Sequence, residues 1–169
     1  MSPPNENQPA SSLLTWLAQG SLGIAGLSLV GMVLVEGWQV IARYVLNDSP
    51  SWTEPVVLLQ INIAMMFSAA VGVRNGAHFG FRVLVDKAAP GLRRLMRVFA
   101  HTVTALIGAV LSWYGALMVM DTWPVKLPGA QLRQGVLYAP LALGGALIVL
   151  FAVERMFAEM TANKNITVD

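Results

Sequence analysis

Four stretches of this chain carry almost no charge: Leu13 to Val35, Pro55 to Val73, Val98 to Met120 and Gln134 to Val153. Each is about 20 residues, the length that crosses roughly 30 Å of hydrocarbon at 1.5 Å per residue. Only 12% of the 169 residues are charged, against about 25% in soluble domains, and mean hydropathy is +0.61. The connectors run to roughly 10–25 residues, too short for a soluble domain with a core of its own. The pattern predicts an all-α membrane protein with four transmembrane helices, spanning about 13–41, 55–73, 98–120 and 135–155. Together these make one domain over 13–158, between a disordered tail at 1–12 and a short polar tail at 159–169.

The first span is longer than a bilayer needs, so it should tilt or project. Trp16 and Trp38, near its two ends, are placed like interfacial anchors. The connector after it carries Asn47-Asp48-Ser49-Pro50, a turn cluster. Pro55 falls where the first turn of a helix tolerates proline. In the third connector Pro124, Pro128 and Gly129 argue against continuous helix.

Six of the eleven basic residues sit between the second and third spans: Arg74, Arg82, Lys87, Arg93, Arg94 and Arg97. Arg82 and Asp86 share one helical face, and Phe81, Leu84, Val85 and Ala88 another. After Pro90-Gly91 interrupts, Arg93, Arg94 and Arg97 lie opposite Leu92, Leu95, Met96 and Phe99. An apolar stripe backed by basic residues suits an amphipathic helix lying in the membrane interface between spans 2 and 3, with a solvated loop as the plainer alternative. The three arginines would meet anionic lipid head groups. By the positive-inside rule this connector is cytoplasmic, which places both termini, and hence both tails, in the cytoplasm and the other connectors outside.

The same residues exclude several functions. The sequence pI is 9.3, but the basic residues flank apolar spans, so their simplest reading is topological and not a nucleic-acid surface. With no cysteine, disulfides and thiolate metal sites are excluded. The only histidines, His78 and His101, offer no second pair for a membrane haem. No metal-ligand cluster, nucleophile elbow or phosphate loop is present, so neither an enzyme nor a cofactor is expected. Gly23, Gly26, Gly31, Gly144 and Gly145 read as points of close helix packing. Glu36 is the acidic residue most deserving of a role. Near the outer end of span 1, it suits an interfacial or partner-paired position, with ion or proton coupling as the alternative. Asn62 and Ser68 are the main polar groups at mid-membrane. Glu154, beside Arg155, reads as ordinary boundary charge. Such sparse equipment suits packing against another membrane protein better than carrying a solute.

Particular motifs carry a resemblance. Gln39-Val40-Ile41-Ala42-Arg43-Tyr44 closes span 1 and Trp52-Thr53-Glu54 opens span 2. Arg74-Asn75-Gly76-Ala77-His78 follows span 2, then a Val-Leu-Val-Asp run at Val83 to Asp86, and Tyr138-Ala139-Pro140 heads span 4. Their order and spacing resemble the small permease subunit of tripartite ATP-independent periplasmic (TRAP) transporters, over about Trp16 to Glu154. Asn62 and Met65-Met66 stand where an aromatic residue is expected, and Phe79-Gly80-Phe81-Arg82 departs from the pattern after His78.

The resemblance implies a scaffold in the bacterial inner membrane. It would support a separate large subunit that holds the substrate and sodium sites, and a periplasmic binding protein would deliver an organic acid. Glu36, Arg43, Trp52, Glu54, Arg74, His78, Tyr138 and Pro140 would then serve structure or the partner interface. Arg43 and Glu54 would pair across the first outer connector, or stand as separately solvated charges. Arg74 and His78 would fix span 2 in depth or contact the large subunit. Two other classes remain: a self-contained four-span dimeric transporter built on Glu36, and the membrane anchor of a redox complex.

Overall fold

The computed structural model describes residues 12–48, 50–76 and 90–161. They form four helices: α1 (Ser12–Tyr44), α2 (Thr53–Arg74), α3 (Pro90–Thr122) and α4 (Gly135–Thr161). All four are long and apolar enough to cross a membrane. The tails at 1–11 and 162–169 lie outside the described residues.

Local chemistry sets the helix ends. Asn47, with φ 53°, turns the chain after α1, and the Asp48 amide donates to the Ala42 carbonyl at 3.1 Å. That closure satisfies a carbonyl left without a helical donor, and Asn tolerates the left-handed conformation it requires. Gly76, φ 66°, does the same after α2, donating to Val73 at 3.1 Å. Pro55 is the third residue of α2 and is buried. Pro90 is the first described residue of α3. A proline suits the first turn of a helix, where its missing N–H has no partner within the described helix. Arg93, Arg94 and Arg97 therefore lie on the opening turns of the helix that becomes span 3. The proposed interfacial helix otherwise falls on residues 77–89, outside the described residues.

The helices pack in the order α1, α2, α4, α3. α1–α2 and α3–α4 are antiparallel hairpins, and they join through α2 and α4. These two run parallel: Asn62 reaches Leu137, Met66 lies against Gly144, and Arg74 meets Glu154. The core cluster of Ala18, Met66, Ala70, Val71, Val73, Ile148, Phe151 and Ala152 lies toward the end where α1 begins and α4 finishes, here called the tail end. The opposite, connector end holds the two short connectors, 45–52 and 123–134.

Helix contacts follow side-chain size. A Cβ on Gly115 would meet the Ala142 amide nitrogen at 2.7 Å, and one on Gly145 the Ser112 nitrogen at 2.6 Å. Gly144 similarly admits Met66. These glycines let α4 approach α3 and α2 closely, as membrane helices require without a hydrophobic drive between them. Gly31 faces the end of the Gln60 side chain, whereas Gly20, Gly23, Gly26 and Gly37 have no neighbour within 4 Å of a built Cβ. Among the described residues no helix packs on Gly23 or Gly26, which lie on the side of α1 turned away from α2.

Candidate functional site

At the tail end the last residue of α2 ties three helices together. The Arg74 Nε donates to Glu154 Oε2 on α4 at 3.1 Å, and its Nη2 to Glu154 Oε1 at 3.4 Å and to Thr15 Oγ1 on α1 at 3.1 Å. The guanidinium carbon lies 5.7 Å from the Phe151 ring centroid. Arg155 completes the knot by donating its Nε to the Arg74 carbonyl, one of the orphan carbonyls at a helix end. Both ionic side chains are mostly buried, 14% and 20% exposed. Only a planar guanidinium can serve a carboxylate with two donors, a hydroxyl and an aromatic face together.

The knot corrects the sequence reading of Glu154. It is the partner of Arg74, not ordinary boundary charge. Arg74 and Glu154 stand 80 residues apart in the chain, and only the parallel seating of α2 and α4 joins them. A signal was available: two opposite charges at the same ends of two like-directed apolar spans.

At the connector end the two connectors touch. The Ser51 hydroxyl donates to the Gly129 carbonyl at 3.5 Å, and a Cβ on Gly129, φ 77°, would collide with Ser51. The third connector is a small hairpin. Lys126 and Arg133 bridge its arms, and Gln134 N–H donates to Val125 at 2.9 Å. Arg133 stacks over Trp123, 5.3 Å from the ring centroid. Thr53 is fully buried and donates to the Pro50 carbonyl at 2.9 Å.

Arg43 and Glu54 form no ion pair. The register explains why. Gly31 faces Gln60, and Thr15 meets Arg74, which sets Trp38 level with Trp52. Arg43 therefore stands about 10 Å farther out than Glu54 at 1.5 Å per residue. Each charge instead suits the dipole of its own helix, Arg43 in the last turn of α1 and Glu54 in the first turn of α2. Glu36, Arg43 and Glu54 are all exposed. Trp52 precedes α2 and is 42% exposed.

Pro140 is buried inside α4 and Tyr138 half-buried. The proline removes a helical donor in this turn, and the Asn62 amide reaches the neighbouring Leu137 carbonyl at 3.5 Å. Arg97 is half-buried on the second turn of α3. The side chains of Arg93 and Arg94, and all of His78, lie outside the described residues. His101 is buried, 5% exposed.

Span hydroxyls serve the fold. Ser21, Ser68, Thr102, Thr104 and Thr122 bond back within their own helices, and Ser112 donates across the seam to Ala142 at 3.0 Å. Among the described residues no group of His, Cys, Asp or Glu is placed to hold a metal ion.

Comparison with known proteins matches residues 32–162 to the family model described as Tripartite ATP-independent periplasmic transporters, DctQ component. No curated protein matches the chain.

Proposed function

We infer, from the premise that this chain belongs to the DctQ component family of tripartite ATP-independent periplasmic transporters, that it works as the fixed supporting subunit of such a transporter. In this reading it braces a separate large membrane subunit during sodium-coupled uptake of an organic acid delivered by a periplasmic binding protein. The observation that supports it is the distribution of polar groups. The described Asp, Glu, Lys, Arg and His residues of α1 to α4 lie toward the helix ends. Within the spans the hydroxyls of Ser21, Ser68, Thr104 and Ser112 are engaged in intrachain hydrogen bonds. A carrier needs polar groups or broken helices free to meet its solute at mid-membrane. A support needs rigid helices and apolar sides, which α1 and α3 have in long exposed rows such as Leu27, Leu34, Leu106 and Val110.

The knot at Arg74 gives the support its stiffness, and Glu36, Arg43, Trp52, Glu54 and Tyr138 are the residues proposed to meet partners. Arg93, Arg94 and Arg97 are proposed to contact anionic head groups at the inner surface of the cytoplasmic membrane, at roughly 1 kcal/mol each. Both termini then face the cytoplasm, and the connectors at 45–52 and 123–134 face outside.

Reconstitution tests this reading. Proteoliposomes holding this chain alone should take up no organic acid. Those also holding the large subunit, supplied with the binding protein and a sodium gradient, should. Uptake by the chain alone would make it a carrier. Since the chain has no cysteine, Ser49→Cys gives a single label site, expected to react with an impermeant maleimide from outside.

A further inference from the structure

We propose that the connector end holds a binding site for the ammonium group of an aminophospholipid. An open cleft of about 670 Å³ there is lined by Trp38, Asp48, Pro50, Ser51 and Trp52. Two indoles and a carboxylate are the chemistry that receives an organic cation: the ring faces attract it electrostatically and the carboxylate neutralises it. Both indoles are half-accessible, Trp38 at 46% and Trp52 at 42% exposed. Asp48 makes no ion pair among the described residues. The chain's other connector tryptophan is already served, since Arg133 covers Trp123. No cation of the described chain covers Trp38 or Trp52.

Depth selects the occupant. The register that joins Thr15 to Arg74 sets Trp38 level with Trp52, and 22 or 23 residues of helix separate the ionic knot from the cleft. At 1.5 Å per residue that is roughly 33–35 Å, one hydrocarbon thickness with a small margin. With the knot at one membrane surface, the cleft lies at the head-group level of the other. An ammonium at that level belongs to a lipid. The backbone of Asp48 is held there, its amide capping α1 through Ala42, which keeps the carboxylate at the cleft. The site is distinct from the basic cluster at the opposite end, which offers the complementary charge. The inference rests on the reading of the chain as membrane-spanning.

The test uses the purified full chain in detergent, offered equal amounts of phosphatidylethanolamine and phosphatidylglycerol, with retained lipid read by native mass spectrometry. Wild type should retain phosphatidylethanolamine. Asp48→Asn should lower that retention by about fivefold, the scale of one exposed cation–π or charge contact, and leave phosphatidylglycerol retention unchanged. Trp52→Leu should act in the same direction. If Trp52→Leu disturbs folding, the isosteric Asp48→Asn decides alone. The proposal is overturned if Asp48→Asn retains phosphatidylethanolamine like wild type. It is equally overturned if phosphatidylglycerol is lost in the same variants, or if soluble ethanolamine displaces the lipid at matched concentration. Retention of neither lipid by wild type would overturn this site and leave the membrane-spanning reading standing on its four apolar helices.

Discussion

The two helical hairpins are built from similar sequence and hold together differently. In α3–α4, Gly115 and Gly145 bring one backbone against the other, with built Cβ contacts of 2.6–3.1 Å to main-chain atoms. In α1–α2 the corresponding glycine, Gly31, meets only the mobile end of Gln60, and Gly20, Gly23, Gly26 and Gly37 face open space. The α1–α2 hairpin is fastened instead at its ends, by Arg74 to Thr15 at one and by the capped turn from Ala42 to Thr53 at the other. A glycine in an apolar span thus marks close approach only where a helix lies opposite, and hydrogen-bonded ends can replace a tight seam.

Substitutions rank that difference. Gly145→Leu should be the most damaging, because its new side chain would meet the Ser112 nitrogen and the Gly108 carbonyl, neither of which can yield. We expect a loss of about 3 kcal/mol, the upper range for overpacking, read as a lowered midpoint in detergent unfolding followed by circular dichroism. An unchanged midpoint would mean that the α3–α4 seam is looser than described. Next comes Glu154→Ala, which leaves the Arg74 guanidinium without its carboxylate. Removing one partner of a buried pair costs about 3–5 kcal/mol in soluble interiors. Here the end position lets the arginine reach head groups, so about 2 kcal/mol is expected, with a smaller loss for Thr15→Val. If Thr15→Val equals Glu154→Ala, the hydroxyl and not the ion pair secures the knot.

The smaller effects probe what the comparison says is absent. A double-mutant cycle on Arg43→Ala and Glu54→Ala should give a coupling within about 0.5 kcal/mol of zero, as for sites without shared partners. A coupling above about 1 kcal/mol would restore the ion pair that the register denies. Smallest of all, Gly23→Leu should leave the stability of the isolated chain within about 0.5 kcal/mol, as at ordinary surface positions. A large loss would mean that α1 has a neighbour within this chain on that side.

Much of the arrangement was legible beforehand. Span number and approximate limits follow from charge-free length, since only about 20 apolar residues can cross the hydrocarbon. The family was legible in short motifs at fixed places, such as Arg74-Asn75-Gly76, whose glycine ends α2, and Trp52-Thr53-Glu54, which opens it. Pro90 opens the described part of α3, a position that a first-turn proline suits, and sequence alone does not say which turn a proline occupies. Closeness in the chain left Arg43 and Glu54 open to pairing or to separate solvation, and the second holds because α1 runs about two turns past the start of α2.

By itself, then, the sequence determined the number of helices, their apolar character and where charge is permitted, because those depend on solvent preference and length. The tertiary structure alone decided the neighbours. It set α2 beside α4 instead of α1 beside α4, drew Glu154 to Arg74 across 80 residues, and separated glycines that carry a seam from glycines that face outward. Which helix lies opposite another depends on side-chain shape and register summed over whole helices. No local pattern in the chain records that sum.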